Sequence, residues 1–171
     1  MIKIFLFTTF NFLCLYACSP KPEPETYLIR EGYKGRVNII FNQRDGVPPK
    51  YEKARRIYEV PGNGILLTQF KDEYGLVDHR YFYVDSNGKR TSLEILTENM
   101  FESNDSKVNQ NSIGIFLDGT TGQYGSSNDA VWWQGFIVCS YNELHHFFST
   151  KYKKQFEDSL TKAIGIKVVV P

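Results

Sequence analysis

The chain is poor in the side chains that most often carry covalent, redox or metal chemistry, with three cysteines and three histidines in 171 residues. No Gly-x-Ser-x-Gly occurs, so the strained turn that exposes the serine of many hydrolases is missing. Asp118-Gly119-Thr120-Thr121-Gly122 is a turn of small hydroxyl residues without the lysine a phosphate loop needs. Asp85-Ser86-Asn87-Gly88 lacks the further oxygen ligands and closing glutamate of a calcium loop. His145 and His146 are neighbours, and consecutive helix positions point about 100° apart, so they do not readily share an ion. Glu143 and His146 have the Glu-x-x-His spacing of di-iron bundles, but the second copy that chemistry requires is absent. Charge of one sign is scarce too: 20 Lys and Arg face 19 Asp and Glu. Lys53-Ala54-Arg55-Arg56 and Lys151-Tyr152-Lys153-Lys154 have acids nearby and read as solvated faces, which excludes the clustered cations of nucleic-acid binding. The expectation is a protein without catalytic activity, metal, other cofactor or nucleic-acid partner.

What is present begins at the N-terminus. Lys3 precedes a run from Ile4 to Leu15 that is apolar apart from Thr8, Thr9 and Asn11. A bilayer span takes ~20 apolar residues, so the run is too short for one and suits a secretory signal peptide. Leu15-Tyr16-Ala17-Cys18 resembles the lipobox of bacterial lipoproteins; the resemblance implies cleavage before Cys18 and a diacylglycerol on its thiol. Ser19-Pro20-Lys21-Pro22-Glu23-Pro24-Glu25 follows, and its alternating prolines forbid a helix and favour an extended, semi-rigid spacer. The chain thus divides into a signal segment (1–17), a lipidated cysteine with spacer (18–26) and one β-rich domain (27–171). Removing the signal takes away Lys3 and no acid, leaving a neutral domain. With Cys14 discarded and Cys18 acylated, Cys139 is the last thiol, and it reads as an apolar strand residue. The implied location is the bacterial cell envelope, anchored to a membrane, with Ser19 favouring the outer one.

Strands are expected at Tyr27-Leu28-Ile29 and from Arg36 to Phe41, with Val37, Ile39 and Phe41 on one face. Arg56 to Val60 and Ile65 to Phe70 flank Pro61-Gly62-Asn63-Gly64 and read as a hairpin. Tyr81 to Asp85 and Thr91 to Leu96 read as a second, through Asn87-Gly88. Residues 102–112 are polar and loop-like. Ile113 to Leu117 and Val131 to Cys139 are strands around a loop from Asp118 to Asp129. One helix is expected from Tyr141 to Ala163, with Ser140 and Glu143 as a capping box, an apolar stripe from Leu144 to Ile164, and Gly165 as terminator. Ile166 to Val170 is a last strand or a docked tail. The fold class is mainly β (α+β), an antiparallel β-sandwich-like domain with one C-terminal amphipathic helix.

The string Tyr27 to Val37, then Arg56 to Leu66, then Tyr74-Gly75 and Tyr81 to Asp85, resembles an uncharacterised-domain family of small bacterial lipoproteins over residues 26–96. The same pattern is similar to the prealbumin-like sandwich modules attached to carboxypeptidases, which implies that fold. Neither resemblance implies an activity. Aromatics are the remaining signal. In Trp132-Trp133 and Tyr81-Phe82-Tyr83 neighbours point to opposite faces of a strand, so one ring of Trp132-Trp133 should enter the core and the other lie outside. Trp132, Trp133, Tyr81 and Tyr83 are the candidates for an exposed surface that stacks on a glycan or anchors a protein, the alternative being that the helix or a loop covers that face. The leading expectation is therefore a lipid-anchored binding or accessory protein. The alternatives are an inhibitor or immunity-type lipoprotein, and a small envelope enzyme in which two or more of His79, Glu94, Asp118, Asp129, His145 and His146 converge. His79 itself reads as a loop side chain.

Overall fold

Which strands lie side by side decides what this chain brings together, and the order is not that of the sequence. The computed structural model describes residues 21–96, 109–126 and 130–170; the signal segment, Cys18 and Asp129 lie outside them. In chain order the elements are β1 (Glu25–Arg30), β2 (Gly35–Ile40), β3 (Tyr51–Glu52), β4 (Arg55–Val60), β5 (Ile65–Leu67), β6 (His79–Val84), β7 (Arg90–Leu93), β8 (Ile113–Tyr124), β9 (Val131–Ser140), α1 (Tyr141–Phe148) and α2 (Thr150–Ile164). The strands form a five-stranded sheet in the order β3-β4-β1-β6-β7 and a four-stranded sheet in the order β5-β2-β9-β8. Tyr27, Ile29, Tyr58 and Tyr81 of the first meet Val37, Ile39, Phe136 and Val138 of the second in a shared core, so the sheets stack as a sandwich. The mainly β sandwich with C-terminal helical cover is as expected from the sequence.

The sheets are mixed, however, rather than antiparallel throughout. β1 is parallel to both β4 and β6, and β2 to β5. The cause is that the chain alternates between sheets. A strand that returns after a passage through the other layer re-enters in the same direction, whereas a tight hairpin must reverse. The hairpin expected around Pro61-Gly62-Asn63-Gly64 therefore does not form: β4 lies in the first sheet and β5 in the second. Gly64 makes this crossing possible, with φ +76° and a position so close to the Arg36 carbonyl and the Tyr33 hydroxyl that a Cβ would overlap both. The second hairpin forms as expected, with Val84 opposite Arg90 and the Asp85 carboxylate accepting from the Asn87 and Lys89 amides at 2.8 and 2.9 Å.

Two more expectations change. The stretch from Asp118 to Tyr124, read as loop, continues β8; a register shift between Phe116 and Thr120, with Leu117 at φ +58°, absorbs the irregularity while pairing to β9 resumes. The single expected helix is two. Ser149 is extended (φ −62°, ψ 143°) and its Oγ accepts from the Tyr152 amide, so it caps α2 instead of continuing α1. The Glu143 carboxylate does accept from the Ser140 amide and hydroxyl, and Gly165 at φ +76° ends α2. The helices and a docked tail, through Val168 and Val170, cover the outer face of the second sheet.

Candidate functional site

In-register parallel strands align their residues in rows, and three inward rows cross β4, β1 and β6. Ile29, Val60 and Tyr83 form the apolar row. Tyr27, Tyr58 and Tyr81 form the second; the Tyr27 ring stacks on Tyr58 at 5.1 Å and on Tyr81 at 4.8 Å. The third is charged, with Glu25 on β1 beside His79 on β6 and Arg56 on β4. His79 is thus the first inward residue of β6, not a loop side chain.

Its imidazole is held on both sides. Nδ1 is 2.7 Å from Asp118 Oδ1 of β8; Nε2 is 3.3 Å from Glu25 Oε2 and 3.1 Å from the Gln134 amide nitrogen of β9. Glu25, only 3% exposed, accepts from the Tyr27 hydroxyl, the Tyr58 hydroxyl at 3.1 Å and Gln134. Asp118 also accepts from the Tyr81 hydroxyl. A buried carboxylate without such partners would be strongly disfavoured. Burial disfavours the charged imidazole, yet the hydrogen bonds and charges of Asp118 and Glu25 outweigh it and push His79 up to about 9. Asp118 moves the other way: burial would raise it, but His79 and Tyr81 hold it below the usual carboxylate range. Burial raises the Tyr81 phenol far above its ordinary value, with Asp118 adding to the effect.

This cluster floors a cleft of about 140 Å³ at one end of the sandwich, lined by Glu73, Tyr74, Gly75, Val77, His79, Gly119, Thr121 and Gln134. Tyr74, at its rim, meets Trp132 edge-on at 5.8 Å. Chemically the floor is a clamped imidazolium between two carboxylates, with both ring nitrogens engaged and no serine or cysteine among the lining residues. No group of three or more His, Cys, Asp or Glu among the described residues is arranged to hold a metal ion.

The four aromatic candidates do not form one surface. Trp132 is 36% exposed, whereas Trp133, on the opposite face of β9, is buried and stacks on Tyr124 at 5.2 Å. Tyr81 is enclosed in the inter-sheet core, and half-buried Tyr83 donates its hydroxyl to the Tyr33 carbonyl at 2.6 Å. Of the titratable candidates, His79 and Asp118 converge; Glu94 is exposed beyond β7, and His145 and His146 are exposed on α1. Cys139 is buried, which pushes its thiol up to about 12. Sequence reasoning missed Glu25, Tyr58 and Gln134. The period of two, carried back from Tyr27 to Glu25 and from Tyr81 to His79, is the signal that marks both as inward.

The family model of DUF6843, a family of unknown function, matches residues 21–132, from the spacer to the start of β9. No curated protein matches the chain. Among solved structures, the crystal structure of a Bacillus anthracis protein provisionally described as a lipoprotein aligns at a TM-score of 0.58 and 17% identity, over 83% of this chain and 94% of that one. At that identity the likeness shows a shared fold.

Proposed function

We propose, from the premise that this chain belongs to the DUF6843 family of unknown function, that it is a lipid-anchored cell-envelope protein whose domain binds a small polar ligand without transforming it. The lipobox resemblance at Leu15-Tyr16-Ala17-Cys18 supports the anchor, as does the shared fold of a protein itself described as a lipoprotein. The observation that carries binding is the double clamp on His79. A general base needs a free nitrogen near its working pH, and here one nitrogen faces the Asp118 carboxylate, the other faces that of Glu25, and the two hold the ring as a cation at neutral pH. The polar lining of Glu73, Thr121 and Gln134 favours a ligand that brings hydroxyl or ammonium donors.

A second reading, a small envelope enzyme, has one observation in its favour: His79 and Asp118 do meet in a cleft. Calorimetry of the full chain against a panel of sugars, amino sugars and polyamines separates the two. Binding that is lost in Gln134→Leu, with the ligand recovered unchanged, supports the first; turnover that is lost in His79→Gln supports the second. Cell fractionation checks the anchor. The protein is expected in the membrane fraction and its Cys18→Ala variant in the soluble one, and a variant that still sediments with membranes overturns lipidation at Cys18.

A further inference from the structure

The loop between β5 and β6 leaves large apolar side chains in the open. Leu76 is 95% exposed and Tyr74 69%, and Trp132 beside Tyr74 adds a third. The proline spacer is strapped to this same loop. A side chain at Gly75 would come within 3.2 Å of Pro22, the Glu23 amide donates to Glu73 Oε2 at 2.7 Å, and Arg56 pairs with both Glu23 and Glu73. Cys18 lies four residues before Pro22, so even a fully extended chain keeps it within ~14 Å of Pro22.

We propose that Tyr74, Leu76 and Trp132 form a membrane-contacting face and that its partner is the lipid bilayer at the headgroup level. The proposal rests on the lipid anchor at Cys18, since that anchor and the short tether bring this end of the sandwich to the membrane and no other. The chemistry suits the place. Tyrosine and tryptophan have an apolar body with one polar end and concentrate at membrane interfaces, and an exposed leucine gains by leaving water. The surrounding charges nearly cancel. Arg56 pairs with Glu23 and Glu73, Arg55 with Asp78, and Asp72 accepts from Asn42, while Lys21 and Lys71 are exposed. The contact is therefore apolar, and salt should change it little. Tyr74, Gly75 and Val77 also line the cleft, so its mouth opens at this end and a ligand would enter it from the interface.

The test uses full-length lipidated protein in vesicles of phosphatidylethanolamine and phosphatidylglycerol. Leu76→Cys and Asn87→Cys each carry an environment-sensitive dye; Cys139 is fully buried and Cys18 acylated. Asn87 sits in the β6–β7 turn, at the opposite end of β6 from His79. The expected result is a blue shift on vesicles for the label at 76, none for the label at 87, and no change with salt. Without any label, bilayer-restricted brominated lipids should quench the wild-type tryptophan emission, and Trp132→Phe should abolish that quenching. Protein that sediments with vesicles while the label at 76 stays in water and Trp132 stays unquenched overturns this face alone. Protein that fails to sediment overturns the anchor, and this inference with it.

Discussion

His79 shows how one residue's environment is decided by others far along the chain. Its partners Asp118 and Gln134 lie 39 and 55 positions away, and Glu25 meets it only because β1 and β6 run parallel in register. Alternation reveals that a side chain faces inward but not which strand lies beside it; hence His79 and Asp118 were legible only as two members of a longer set of titratable residues, and Glu25, Tyr58 and Gln134, which complete the cluster, were not. The cluster makes a pH prediction. A histidine at about 9 in the fold and near 6.5 when unfolded contributes stability that is fully present below pH 6.5 and is lost as pH rises through 9. With the side chain 8% exposed, the contribution is on the order of 3 kcal/mol. Urea unfolding at about pH 6 and about pH 9.5 should show this loss in the wild type and little of it in His79→Gln. An equal loss in the variant places the titration elsewhere. NMR of Asp118→Asn should find the His79 pKa lowered, since a carboxylate that holds the proton has gone.

At the scale of elements, local chemistry was read well and long-range pairing poorly. The capping box at Ser140 and Glu143, the stop at Gly165 and the Asn87-Gly88 hairpin each depend on a few adjacent residues, and each forms. The Pro61–Gly64 turn has the composition of a hairpin but serves a crossing, because β1 and β2 already claim β4 and β5 as parallel neighbours. Ser149 is a cap hidden inside an apolar stripe whose spacing continues across it. Glu143 does double duty, accepting from Ser140 and pairing with Lys34 at 2.6 Å, which ties α1 to the β1–β2 connection. Lys34 and Ser140 together pull its carboxyl down to about 2, so its contribution is present above its ordinary 4.5 and is lost as pH falls through 2. Glu143→Ala is expected to cost about 1 kcal/mol and to lower Tm by about 2–4 °C in a thermal scan at neutral pH. A Tm unchanged within error means the frayed first turn is not limiting.

The whole molecule explains the aromatic richness that sequence alone turned into a surface. Among the described residues most of the rings fill layers: the Tyr27, Tyr58 and Tyr81 stack between the sheets, Trp133 and Tyr124 beneath the helices, and Tyr141 and Phe147 of α1 with Phe116 of β8. With no disulfide among the described residues, packing across these layers holds the parts together. The helices are structural cover in this arrangement. Without them Ile40, Ile65, Phe116, Trp133 and Ile137 would face water on the outside of the second sheet. Leu160 is fully buried at the centre of that cover, against the sheet and the docked tail. Truncating it removes transfer energy and leaves a cavity, a cost of about 2–5 kcal/mol against a total near 5–15 kcal/mol for ordinary domains. Leu160→Ala should therefore move the urea midpoint strongly downward. If the layers fold as one unit, tryptophan fluorescence and far-ultraviolet circular dichroism should move together, because Trp132 reports the rim, Trp133 the helix-covered face and dichroism the backbone. A variant in which the helical signal melts first, leaving the rim signal at the wild-type midpoint, would show instead that the sandwich stands without its cover.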